Sequence, residues 1–201
     1  MGFSYFFRDV EAMDLIIKYA IPEIRSNRYI SIWSAGCSEG QEPYTLAIKL
    51  RETLGHFTFR RFKIYATDID NTTKTFGETI NQGIYQKTSV GRIDKEILSK
   101  YFNPIDGGYK YELIPEIKNA VEFQKHDLLS LKEIKQGINV ILCKNVLMHF
   151  NQKQRIDVIN MFHRALADNG FFAMERTQKM PDETKHLYEQ VSQLGQLFRK
   201  K

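Results

Sequence analysis

The sequence predicts an α/β protein with a doubly wound, largely parallel sheet and a small antiparallel β-hairpin insertion. Three observations predict it. Short runs of β-forming residues alternate with longer stretches of helical periodicity, the pattern of parallel βαβ units. The first such run breaks at a glycine and enters a helix, in "SIWSAGCSEGQEPYTLAI" (31–48). A stretch near the middle, "YKYELIPEIKNAVEF" (109–123), alternates polar and apolar residues as a half-exposed antiparallel hairpin does.

Taken in order, residues 8–25 carry Met13, Ile16, Ile17 and Ala20 at helical spacing, with Pro22 near the end. "YISIWSAG" is a buried strand, and 41–54 an amphipathic helix closed by Gly55. "RFKIYATDID" is a second strand whose apolar run stops at Asp68. Residues 71–82 read as a helix capped by an Asn/Thr cluster and closed by Gly83, and 93–102 as another. In the alternating stretch, Pro115 suits an edge or a turn. "INVILC" (138–143) is a fully apolar strand and 152–167 a helix, ended by "DNG" (168–170) before the strand "FFAME". Residues 182–190 read as helical, and "GQLFRK" as a last edge strand. In such sheets ligands bind beyond the carboxyl ends of the strands at a topological switch point. The candidate site segments are therefore 36–42, 68–70, 126–128 and 144–149.

Composition excludes several classes. Of 201 residues, 42% are hydrophobic and 26% charged, values of an ordinary globular domain. Nothing approaches the ~18 uninterrupted apolar residues of a membrane span, and no signal-peptide pattern opens the chain, so no direct membrane insertion and a cytoplasmic location are expected. The two cysteines, Cys37 and Cys143, sit in separate apolar segments without metal-ligand spacing, so buried free thiols and no metal are expected. The net charge of +5 is modest. The basic run "FRRFK" (59–63) lacks an aromatic-interleaved groove and reads as a solvated patch before a strand, not a nucleic-acid site.

The loop after the first strand selects among cofactors by charge. A phosphate-bearing cofactor seeks backbone N–H groups and the positive end of a helix dipole. Here the helix entrance reads Ser-Glu-Gly-Gln-Glu with no lysine, and it matches neither G-x-G-x-x-G nor G-x-x-x-x-G-K-[ST]. Glu39 and Glu42 would repel a pyrophosphate by on the order of 1 kcal/mol per close exposed pair. S-adenosylmethionine, with a sulfonium, an ammonium and no phosphate, has the opposite preference. Asp68 then stands where Rossmann-type sites place the acid that accepts from ribose hydroxyls. The plain alternative makes both glutamates first-turn residues that favour the dipole.

The same segments resemble one family, the chemotaxis receptor glutamate methyltransferases of the CheR type. "SYFFRD" (4–9) is similar to the family's "TxFFR", "WSAGCSEGQEPYT" (33–45) to its "WSAxCSxGEEPYS", and "CKNVLMHF" (143–150) to its "CRNVxIYF". "ATDID" (66–70) matches outright and is followed by a similar "GIY" (83–85). The resemblance covers nearly the whole chain. It implies a Rossmann-like S-adenosylmethionine methyltransferase domain over 30–201, with residues 1–29 as an N-terminal segment and helix packed on it and a β-subdomain insertion at about 103–124. By motif position it implies that Ser4, Arg8, Glu42, Asp68, Asp127, Leu128, Asn145 and Val146 bind the cofactor, and that Gly36 permits close backbone approach. The implied reaction methylates glutamate carboxylates in the cytoplasmic domain of methyl-accepting receptors and leaves S-adenosylhomocysteine. A glutamate is already ionised at pH 7, so alignment and desolvation matter more than a general base. Arg8, with its fork of donors, is the candidate to orient a carboxylate.

Three departures from the family are visible. The chain begins where the family's helical N-terminal domain would end. The family's tyrosine and arginine are replaced by His149 and Lys144, and its "GxSE" reads "ERTQ" (175–178). His149 follows a strand end and is therefore a candidate catalytic residue, as a hydrogen-bond donor to the acceptor or as a base. These replacements leave open a different protein or small-molecule acceptor, or a cofactor-binding module without turnover. "FNPIDGGYKY" is shorter than the loop with which some relatives grip a receptor's C-terminal peptide, so no such tether is expected.

Overall fold

The computed structural model describes residues 4–69 and 75–201. The strands, in chain order, are β1 (Ile30–Ala35), β2 (Phe62–Asp68), β3 (Ile84–Gln86), β4 (Phe102–Ile105), β5 (Lys110–Leu113), β6 (Val121–Lys125), β7 (Ile138–Cys143), β8 (Leu166–Met174), β9 (Tyr188–Gln190) and β10 (Leu197–Lys200). Seven form one sheet in the order β6-β2-β1-β7-β8-β10-β9, and β3, β5 and β4 form a separate small sheet. From β6 to β8 all neighbours are parallel, while β10 and β9 add an antiparallel margin. The α/β class and the small antiparallel sheet agree with the sequence expectation.

Both faces of the large sheet are covered, which is why its central strands read as continuous apolar runs. Ile30 and Ile32 of β1, Val140 and Leu142 of β7, and Phe171 and Ala173 of β8 face one core. Met13, Ile16 and Ile21 from the helical segment 11–24 and Tyr44, Leu46 and Leu50 from the helix Gln41–Phe59 complete it. Trp33, Ala35, Ile141, Cys143, Phe172 and Met174 face the other core, closed by Val158, Met161 and Phe162 of the helix Gln152–Ala165. The chain leaves β1 for β2 on one side and later returns as β7 on the other. That reversal opens a crevice at the carboxyl ends of β1, β2 and β7.

Several elements differ from expectation. Residues 109–123 do not close a hairpin on themselves. β5 pairs antiparallel with β4, from Phe102↔Leu113 to Ile105↔Lys110, while β6 pairs parallel with β2 in the large sheet. Pro115 opens a helical turn, Pro115–Lys118, between them. Alternation reports that one side of a strand is covered, not which partner it has. "DNG" does not end a helix: the helix stops at Ala165, and Asn169, at φ 58°, sits inside β8 where the register with β7 shifts. Turn-forming residues here seat a bulge. Residues 182–190 divide into a 3₁₀ stretch, Asp182–Leu187, and β9. β10 is an interior strand, with β9 beyond it as the edge. At Gly55 (φ 72°, ψ 169°) the long helix breaks as expected, though a further helical turn reaches Phe59. Of the helix expected over 71–82 the structure shows Phe76–Gln82; 71–74 and Asp70 lie outside the described residues.

Candidate functional site

β1 ends at Ala35, and at Gly36 the chain turns off the sheet with φ 82°. The Gly36 and Cys37 amides still reach the Thr67 carbonyl, at 2.8 and 3.0 Å. A Cβ on Gly36 would stand 2.1 Å from Val146 Cγ2, so only glycine lets the loops after β1 and β7 touch. Asp68, the last residue of β2, accepts from the Ser38 amide through Oδ2 and from the Ile69 amide through Oδ1, both at 2.7 Å. Ser38 has φ 51°, and the bond to Asp68 holds it there. Glu42 lies in the first turn of the helix Gln41–Phe59. Its Oε1 accepts from Ser34 Oγ at 2.9 Å, and its Oε2 is 3.8 Å from Lys144 Nζ. Burial raises the Glu42 carboxyl to about 7 against the lowering pull of Lys144, Ser34 and Arg8.

These loops enclose a cavity of about 390 Å³. Ser4, Arg8, Gly36, Glu42, Asp68, Asp127, Leu128, Asn145, Val146 and His149 all line it, so every sequence-predicted site residue is brought to one place. Met13, Ile69, Phe76 and Phe150 add apolar wall. Asp127 is exposed and caps a 3₁₀ turn by accepting from the Leu129 amide at 2.8 Å; Leu128 beneath it is buried. Asn145 holds φ 57°, its amide donating to Glu175 Oε2 at 3.1 Å. His149 sits exposed at the rim. Arg8 donates from Nε to Asp9 Oδ2 at 3.1 Å, with its guanidinium 5.8 Å from the Tyr5 ring. Glu39 is exposed and accepts from Gln41 Nε2 at 3.0 Å; it does not line the cavity.

Four further residues shape the site: His126 and Lys144 fall within the candidate segments 126–128 and 144–149 without an assigned role, Glu175 opens the departing "ERTQ", and Thr45 was given no place in the site. Lys144, 5% exposed, donates from Nζ to the carbonyls of Asp9 and Arg8 at 2.7 and 3.2 Å. Glu175, 7% exposed, supports Asn145 from the end of β8. Thr45 Oγ1 accepts from the Phe7 amide at 3.0 Å. His126 lines the cavity, its ring 5.6 Å from Trp33; burial lowers its pKa, so the imidazole is neutral at pH 7. The signal for Lys144 and Glu175 was present: each directly follows an apolar run, "INVILC" and "FFAM". Among the described residues no cluster of three or more His, Cys, Asp or Glu suits a metal ion, and no helix is long and apolar enough to cross a membrane. Cys37 and Cys143 are buried and are not joined in a disulfide.

The donor set fits S-adenosylmethionine. Three carboxylates, Glu42, Asp68 and Asp127, line the cavity beside the apolar wall of Met13, Ile69, Phe76 and Phe150. Lys144 is committed to backbone carbonyls and to Glu42. Gly36 leaves the close approach that a Cβ would fill.

Comparison with known proteins agrees. The family model described as CheR methyltransferase, SAM binding domain, matches residues 2–195. The chain is 30% identical over 183 residues to the chemotaxis protein methyltransferase of Borreliella burgdorferi, covering 87% of this chain and 63% of that one. To a probable chemotaxis protein methyltransferase of Rhizobium etli it is 24% identical, covering 94% and 72%. The chain thus spans about two thirds of the length of the curated relatives it matches. Among solved structures, the rRNA methyltransferase aviRa of Streptomyces viridochromogenes superposes with a TM-score of 0.57 at 12% identity, covering 99% of this chain and 85% of that one. That likeness shows the fold alone.

Proposed function

The chain belongs to the CheR methyltransferase family, matched over residues 2–195, and from that premise we propose that it transfers the methyl group of S-adenosylmethionine to glutamate side-chain carboxylates of chemotaxis receptors, giving glutamyl methyl esters. The observation that carries the reading is the pair Glu42 and Asp68. One carboxylate from the first turn of the helix Gln41–Phe59 and one from the end of β2 converge on one cavity that Gly36 and Val146 shape, an arrangement that repels phosphate and suits a cationic, nucleoside-bearing cofactor. Residues 1–29 are read as the N-terminal segment of this methyltransferase domain and 30–201 as its body.

In this reading Asp68 accepts from ribose hydroxyls while its two amide bonds fix the carboxylate at the end of β2. Asp127 and Leu128 border the adenine. Glu42, Asn145 and Val146 face the methionine portion, and Ser4 and Arg8 close over it from the N-terminal segment. Bound there, the cofactor would supply an electrophilic sulfonium methyl, with a neutral thioether as the leaving group when a carboxylate oxygen forms the ester bond. The chain's own contribution is alignment. Arg8 at the cavity wall and His149 at the rim offer N–H donors to orient the acceptor carboxylate in line. The apolar wall of Met13, Phe76 and Phe150 strips its water.

The acceptor is read as the cytoplasmic domain of a receptor, and the enzyme as cytoplasmic. The turn between β4 and β5, Asp106–Gly108, is short, which supports docking without a C-terminal peptide tether; micromolar capture by an isolated receptor C-terminal peptide would contradict that. The central test is transfer of labelled methyl to receptor-containing membranes. Base-labile label on receptor glutamates is expected. Base-stable label would point to another acceptor. Binding of S-adenosylhomocysteine with no label on any fraction would indicate a module without turnover.

A further inference from the structure

We propose that Lys144 is a positioning residue of this site, tying the N-terminal segment that carries Ser4 and Arg8 to the carboxylate of Glu42, so that the strap across the cavity and the acid beneath it are held as one unit. The inference rests on the reading of the cavity as the cofactor site. Lysine is almost never fully buried unless paired, yet this side chain, at the carboxyl end of β7, is 4% exposed. Its ammonium has three N–H bonds to place. Two go to main-chain carbonyls of the strap, Asp9 at 2.7 Å and Arg8 at 3.2 Å, and the charge lies 3.8 Å from Glu42 Oε2.

The strap needs such a hold. Phe7 and Asp9, which flank Arg8, have φ of 59° and 44°, a region side chains other than glycine, asparagine and aspartate rarely enter. Such conformations persist only where surrounding contacts over-determine them. The first half is pinned by the Phe7 amide on Thr45 Oγ1 and by the Phe6 ring, edge-on to Tyr85 at 4.8 Å and Phe102 at 5.2 Å. The second half, around Arg8 and Asp9, is pinned by Lys144. Removing the ammonium would take one donor from two strap carbonyls and the cation 3.8 Å away from Glu42. The other groups acting on Glu42 are Ser34, Arg8 and Glu175, of which Glu175 opposes its ionisation.

The test compares the wild-type chain with K144M, which keeps the length and apolar stem, and K144R, which keeps the charge and donors. Amide hydrogen exchange over residues 6–10 is read without cofactor, and S-adenosylhomocysteine affinity is read by calorimetry from pH 6 to 8.5. In K144M, exchange over 6–10 should rise at least tenfold, affinity at pH 8 should fall at least tenfold, and the pH midpoint for binding should move up. K144R should recover the protection. A folded K144M with wild-type exchange and affinity overturns the proposal. Should K144M not fold, K144Q replaces it: lost protection in K144Q beside kept protection in K144R supports the proposal, and wild-type protection in both overturns it. Failure of the wild-type chain to bind S-adenosylhomocysteine would overturn the cofactor reading, while the exchange measurement would still decide the role of Lys144.

Discussion

Glu42 joins burial to ionisation, and pH reads the balance. Its folded pKa of about 7 lies above the ordinary carboxylate value of 4.5 because burial disfavours the charge. Between those values the folded state holds a proton that the unfolded state has released. The stability Glu42 contributes is therefore complete below about pH 4.5 and lost as pH rises towards 7. Relative to E42Q, the wild-type melting temperature should decline over that window. Cofactor affinity should run the other way, since a ligand ammonium favours the ionised form. Affinity for S-adenosylhomocysteine should fall by about tenfold per pH unit below 7 and level off above it; a flat profile from pH 6 to 8 would remove Glu42 from the ligand. Asp68→Ala should weaken binding by ~1.5–3 kcal/mol, the scale of charge-assisted hydrogen bonds, with part of the loss arising from the freed Ser38 loop. Unchanged calorimetric affinity would sink that assignment. Arg8→Ala should lower turnover far more than melting temperature, because the side chain is 36% exposed and off the sheet.

At the scale of elements, the site is a meeting of loops, and the tightest contact is Gly36 against Val146. Gly36→Ala puts a methyl 2.1 Å from Val146 Cγ2 at φ 82°, so both sterics and backbone oppose it. Chemical denaturation should show a loss of ~1–3 kcal/mol, the range for overpacking, with weaker cofactor binding beside it. Full stability in that variant would mean the two loops separate more easily than their packing indicates. The strands themselves were legible where burial was complete: "YISIWSAG" and "INVILC" announce β1 and β7 by composition. The Tyr109–Phe123 stretch was legible as strands but not as pairings, because period-two alternation is the same for β5 in the small sheet and β6 in the large one. Asn169, at φ 58°, shows the same limit. Turn chemistry marks a place where φ turns positive, and a loop and a bulge both need that.

Across the whole molecule, the large sheet lies between two cores, and β3, β5 and β4 form a small sheet separate from it. Phe162 lies edge-on to Trp33 at 5.1 Å and tilted against Phe172 at 5.4 Å, with no exposed surface. Phe162→Ala should cost ~3–5 kcal/mol by denaturant titration. It should leave cofactor affinity in the folded fraction nearly unchanged, since Phe162 does not line the cavity. With the family resemblance supplying wall residues such as Ser4 and Arg8, the sequence by itself determined the fold class, the strand ends that border the cavity and the preference for a cationic cofactor. Those follow from local chemistry, from apolar runs, glycine punctuation and the sign of charge at a helix entrance. Only the tertiary structure decided which strands pair, and that Lys144 and Glu175 reach the site from beneath it. It also separated the two acids of the entrance loop, sending Glu42 into the cavity and leaving Glu39 in solvent. Those outcomes depend on which side chains distant segments bring within a few ångströms, and no local pattern records that.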